Sequence, residues 1–283
     1  NSWDVSSVTD MSDMFAGFAS FLTVYDQPLD QWDVSNVTNM SGMFKSADFN
    51  QAIEGWDVGN VINMAAMFQE APNFNRPLEG WNVTNVTNMA NMFYGALEFD
   101  QPLNGWDVSK VESMGGMFTL AEKFNQPLSS WNVGNVTSTS RMFDRAIVFD
   151  QNLASWDISK VSAMNNMLDN SALTQANYDN TLIGWAAQTV LDNVELGAQG
   201  LLYCDGLEER QALIDNSNWV VTGDTINCDY VLCTTIISPA NGDTQVPANF
   251  NLVWEAAPSA TGYRVSVRRF DGTTSTVIMN NQD

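Results

Sequence analysis

The residue types that most often carry chemistry are sparse in this 283-residue chain, and histidine is missing altogether. Its absence removes Ser-His-Asp and Cys-His hydrolysis, imidazole proton transfer and every zinc site with a histidine ligand. Cys204, Cys228 and Cys233 are the only cysteines. None are spaced as CxxC, and three thiols alone offer too few ligands for a metal site. Outside a reducing compartment they permit one bridge with one thiol left over. Cys204–Cys228 is the expected pair, closing a loop of about 25 residues and contributing roughly 3 kcal/mol in the chain-entropy model. The alternatives pair Cys233 with Cys228, or with a residue beyond the end of the sequence.

The acids are more regular. Asp4, Asp33, Asp57, Asp107 and Asp157 each follow a tryptophan, with Asn82 and Asn132 in the same place. Carboxylates stacked at strand spacing repel one another unless they accept N–H groups or meet a cation. Asp33, Asp57 and Asp107 are therefore candidate calcium ligands, with local backbone bonding the favoured alternative, because no calcium-loop signature is present. No other cofactor is expected. Paired carboxylates can hydrolyse glycosides, yet every acid here is scattered or belongs to a repeat. There is no glycine-rich phosphate loop and no G-x-S-x-G. An enzyme is not expected.

The elements that hold these residues follow one beat. Trp3, Trp32, Trp56, Trp81, Trp106, Trp131 and Trp156 are separated by 29, 24, 25, 25, 25 and 25 residues. The cleanest unit, WNVTNVTNMANMFYGALEFDQPLNG, runs from Trp81 to Gly105. Self-similarity at this period is the signature of a stacked array. Val86, Met89, Met92 and Phe93 fall at i, i+3, i+6 and i+7, which predicts a short helix. Thr38 and Thr87 stand where a hydroxyl caps such a helix. The FDQPLNGWDV half predicts a short strand, a corner and a second extended piece, with Pro102 at a strand margin. Trp32, Trp56, Trp81, Trp106, Trp131 and Trp156, with Met43, Met67, Met92 and Met117, are expected to form the core, each column continuous only when units stack. A tryptophan strip for sugar stacking and a soft-metal methionine groove are the competing readings. Asp26, Asn50, Asn75, Asp100, Asn125 and Asp150 form a polar column, although Asp alternating with Asn makes a simple side-chain ladder imperfect. Extra residues between Phe15 and Tyr25 predict a bulging loop. Thr139 in place of Met and Leu168 in place of Phe mark decay toward the end of the array.

These W-D-V-S-x-V-T-x-M-x-x-M-F and F-N-Q-P-L elements, over residues 1–171, resemble the 25-residue repeat of BspA-type leucine-rich-repeat surface proteins, found in Bacteroidetes and mycoplasmas. YDNTLIGW, RQALID and WVVTGD resemble the closing region of flavobacterial members. The resemblance implies an α/β solenoid: a leucine-rich-repeat-like right-handed stack of about seven coils, each a short strand plus a short helix. It also implies a secreted or cell-surface adhesion role toward an extracellular protein or cell-surface ligand. A carbohydrate-binding module, for which the partner is a glycan, and a structural spacer are the alternatives.

Residues 172–232 lose the period and are expected to form a mixed α/β C-terminal cap. Helices are expected after Thr174 and over Gly206–Asn216, with extended segments at 194–196 and 219–226. A cap covers the apolar end of a stack and its unpaired edge. Residues 233–283 alternate as LVW and YRVSV between turn residues, and resemble the first half of a fibronectin type III domain, a partial β-sandwich. The chain is expected to be part of a longer multidomain protein.

Net charge is −22, from 33 acidic against 11 basic residues. Such a chain repels phosphate backbones and anionic lipid, so neither nucleic acid nor membrane insertion is expected. A surplus of acid keeps a surface protein soluble.

Overall fold

The computed structural model describes residues 3–17 and 25–228, together with the backbone of four short strands further on. The expected loop between Phe15 and Tyr25, and Cys233, lie outside the described residues. Two compact units divide the chain, Asn1–Ile226 and Asn227–Asp283. The cap segment thus belongs to the same unit as the repeats.

Each repeat is hydrogen-bonded to the next. Parallel bridges link Asp10, Asn39, Asn63, Asn88, Ser113, Ser138 and Ala163 in succession. The M-x-x-M-F segment between bridges is not helical, contrary to the spacing argument. It is a run of tight turns: the N–H groups of Met43, Lys45 and Ala47 donate to the carbonyls of Met40, Gly42 and Phe44, at 3.2, 2.9 and 3.1 Å. The alternate N–H groups, of Met40, Gly42, Phe44 and Ser46, donate across to Asn63, Ala65, Met67 and Gln69 at 2.7–2.9 Å. An α-helix would spend these donors within the segment on i−4 carbonyls and leave repeats joined by side chains alone. Turns leave every second donor for the neighbour. Their signature is a pair of left-handed residues four apart, Gly42 and Ser46, recurring at 66/70, 91/95, 116/120, 141/145 and 166/170. Thr38 and Thr87 cap nothing; their hydroxyls donate back to the Thr9 and Ile62 carbonyls.

Inside the stack lie aromatic columns. Phe44, Phe68, Phe93, Phe118 and Phe143 succeed one another with ring centroids 5.7–5.8 Å apart and nearly parallel planes. Phe49, Phe74, Phe99, Phe124 and Phe149 make a second column at 6.0–6.3 Å, each ring packed on its partner in the first. Met43, Met67, Met92 and Met117 are fully buried beside them. Every tryptophan from Trp56 to Trp156 buries its ring and donates its indole N–H to the apolar residue three before the previous tryptophan. Trp106 thus reaches the Leu78 carbonyl at 2.9 Å. Trp32 is also buried but its N–H has no partner, because the same spacing places its acceptor ahead of residue 1.

The ladder continues where the sequence period stops. Trp185 donates to Leu153 and Trp219 to Leu191, extending the tryptophan rule by two further steps. Helix α1 (Gln175–Ala186) begins at Thr174, whose hydroxyl accepts the Asn177 N–H, and carries Trp185 into the column. Met164 bridges Leu196 of β1 (Glu195–Gly197), which pairs in parallel with β3 (Val220–Thr222). Beside it β2 (Leu202–Tyr203) pairs with β4 (Thr225–Ile226). A Cβ on Gly197 would sit 2.3 Å from the Asn166 backbone nitrogen, so only glycine lets β1 close on the last repeat. Helix α2 (Leu207–Ser217) spans most of the expected segment.

In the second unit, β5 (Ile236–Ser238) pairs antiparallel with β6 (Val253–Trp254), and β7 (Tyr263–Arg268) with β8 (Thr274–Met279). No helix among the described residues is long and apolar enough to cross a membrane.

Candidate functional site

The aspartates that follow the tryptophans serve their own turns. Asp33 Oδ1 accepts the N–H and hydroxyl of Ser35 at 3.1 and 2.6 Å, Asp57 accepts the Gly59 N–H, and Asp107 accepts the Ser109 N–H. These bonds favour the ionised form, and the Ser35 and Ser109 donors hold the Asp33 and Asp107 carboxyls below the usual range. Among the described residues no group of three acidic or cysteine side chains is gathered for a metal. Asp33, Asp57 and Asp107 sit one per repeat and are not brought together.

The second polar column explains why Asp and Asn alternate. Asn75 Oδ1 accepts the Asp100 N–H and the Gln101 amide, and Asp100 Oδ1 accepts the Asn125 N–H and the Gln126 amide. Only an acceptor is required, and both residue types supply one.

The cap holds a buried ionic lock that spacing did not single out. Arg210 donates through two nitrogens to Asp224, both at 2.7 Å, and Tyr178 donates its hydroxyl to the same carboxylate at 2.9 Å. The guanidinium lies 4.8 Å above the Tyr203 ring. Burial, with the Asp224 charge second, pushes the Tyr178 hydroxyl well above its ordinary pKa. Asp179, also buried, accepts the N–H groups of Cys204, Asp205 and Gly206, fixing the approach to α2 against α1. Cys204 and Cys228 are both disulfide-bonded, and in a chain with three cysteines that leaves them bonded to each other. These groups close the cap; none is displayed to a partner.

Display is the property of another surface. On the outer side of the turns three columns run through the repeats. The first holds Gly42, Ala66, Asn91, Gly116, Arg141 and Asn166; the second Lys45, Gln69, Tyr94, Thr119, Asp144 and Asp169; the third Ser46, Glu70, Gly95, Leu120, Arg145 and Asn170. The backbone repeats while the side chains change at every step. Across repeats four to seven these columns enclose a polar cleft of about 220 Å³, lined by Tyr94, Thr119, Arg141, Asp144, Arg145 and Asn166 among others. Asp144 lies 3.9 Å from Arg145 and is largely buried, and that burial raises its pKa despite the arginine. Nothing in the sequence marked the cleft, since its members are about 25 residues apart and share no motif.

Bridges at a fixed period, columns of identical buried side chains and a face of changing ones define a repeat protein with a display surface. The family described as "Mycoplasma protein of unknown function, DUF285" matches residues 1–101 and 77–181, and the chain belongs to it. No curated protein and no solved structure matches the chain.

Proposed function

We propose that the chain is a non-catalytic interaction module of a bacterial cell-surface or secreted protein, a leucine-rich-repeat-like solenoid of the BspA type that offers its turn face to an extracellular partner. The observation that carries this reading is the division of labour within each repeat. Inward positions keep Trp, Val, Met and Phe, whereas the three turn-face columns change side chain on an unchanged backbone. Repeat arrays bind partners through such extended surfaces. The Cys204–Cys228 bond suits an oxidising, extracellular compartment. In this reading the antiparallel strand pairs after Cys233 open a fibronectin type III-like domain of a larger modular protein.

The test is solid-phase binding of the full chain to immobilised extracellular-matrix proteins and to whole partner cells. Saturable binding is expected. Alanine at Lys45, Gln69 and Tyr94 together should weaken it roughly ten-fold or more, as loss of central contacts does. Alanine at the exposed Asp30, Glu54 and Glu79, away from those columns, should leave it unchanged. Uniform absence of binding, or equal loss from both sets, overturns the reading.

A further inference from the structure

The described basic residues of the repeats are mostly engaged. Arg76 donates to the Asn50 carbonyl, Lys110 to Asn85, Lys160 to Asn135, and Lys123 pairs with Glu98. Arg141 and Arg145 differ. No hydrogen bond to a described residue is made by either guanidinium, and the nearest acid to Arg145, Asp144, stands at 3.9 Å. Both are exposed at the rim of the polar cleft. Both also occupy left-handed backbone, at φ 58° and 57°, which costs an L-residue about 1–2 kcal/mol. Neighbouring repeats place Gly116 and Asn166, or Gly95 and Asn170, at these positions, residues that take that conformation with less strain. The chain thus sets two unpaired planar cations, in its least favourable backbone, at one opening.

We propose that this cleft binds a carboxylate-bearing sugar, a uronate unit of an acidic glycan. The proposal rests on the turn face being the binding face and names its ligand class. A guanidinium fork pairs with a carboxylate through two parallel N–H···O bonds. The remaining lining, Asp144, Asn166, Asp169, Asn170 and the Thr119 hydroxyl, supplies flat or two-pronged polar groups suited to adjacent ring hydroxyls, with the Tyr94 ring beside them. About 220 Å³ fits one sugar ring. An acidic peptide is the poorer fit, because Leu120 is the one aliphatic side chain in the lining and no apolar anchor pocket is present there.

The full chain is titrated with glucuronate, glucose and N-acetyl-aspartate amide, followed by calorimetry or NMR. Glucuronate should bind about ten-fold or more tightly than either control, the effect of one charge-assisted bidentate pair. Arg141→Asn/Arg145→Asn uses residues already present at these positions in the next repeat, so its melting curve should match the parent while the preference disappears. Arg141→Lys/Arg145→Lys keeps the charge without the fork and should lose most of the preference. Equal binding of glucose and glucuronate, equal competition by the aspartate amide, or full retention in the Asn variant overturns the proposal. If the Asn variant fails to bind glucuronate yet still binds partner cells, the site stands and is separate from that contact. If glucuronate never binds while Lys45, Gln69 and Tyr94 still govern partner binding, the glycan proposal falls and the interaction reading survives.

Discussion

A carboxylate and an amide are interchangeable wherever only a lone pair is used, and this chain exploits that at two columns. In the column after tryptophan, the ionised form gains additional hydroxyl donors, which lowers the carboxyl pKa of Asp4, Asp33, Asp107 and Asp157 through Ser6, Ser35, Ser109 and Ser159. The sign follows from linkage. A folded pKa below the unfolded value means that the added stability is present above about pH 4 and disappears as pH falls through the folded pKa. Ser35→Ala/Ser109→Ala should therefore melt below the parent at pH 7, with the gap closing toward pH 3; thermal melts followed by circular dichroism across that range check it. A gap independent of pH would mean that the serines act by packing. Asp144 has the opposite sign. Its raised pKa means that its ionised form opposes folding at neutral pH.

Among the elements, the turn run is the one whose identity spacing could not decide. Met40, Met43, Phe44 and Ala47 fall at i, i+3, i+4 and i+7, the stripe of an amphipathic helix. Successive three-residue turns point the same four side chains inward, as their complete burial records. Periodicity reports which residues face the core, and both backbones satisfy it. In the cap, α1 and α2 were legible from their apolar spacing, but the lock between α2 and β4 needed long-range geometry. Arg210 and Asp224 are almost fully buried, with side-chain exposures of 14% and 1%. Removing one partner of such a pair costs about 3–5 kcal/mol. Asp224→Ala should lower unfolding free energy by about that amount in urea titrations, whereas Arg210→Met/Asp224→Leu, which removes both charges, should lose much less. Equal losses would show that the charges are not coupled.

The molecule as a whole is a chain of neighbours. Hydrogen bonds, ring contacts and indole donors all run from one repeat to the next, so stability is close to a sum of interface terms. Deleting 25 residues from Asn82 through Trp106 joins Trp81 to Asp107 with every column in register. This variant should fold, keep its circular dichroism signature and unfold at a lower urea concentration. Deleting twelve residues from within the same span exchanges inward for outward positions and should abolish cooperative unfolding. If both deletions behave alike, the stacking account is wrong.

The sequence by itself determined the period, the buried Trp, Met and Phe columns, and the Asp/Asn columns, because each is a local pattern repeated with few exceptions. It also placed the two cap helices and named Cys204 and Cys228. The tertiary structure decided that the M-x-x-M-F segment turns instead of coiling into a helix, since that outcome depends on whether a neighbouring backbone is there to take the alternate N–H groups. It extended the tryptophan ladder through Trp185 and Trp219, at intervals of 29 and 34 residues that conceal the beat. It also gathered Arg141 and Arg145 with side chains from three other repeats into one cleft. Only stacking sets such residues side by side, because proximity across repeats is a property of the assembled backbone and leaves no mark in the order of residues along the chain.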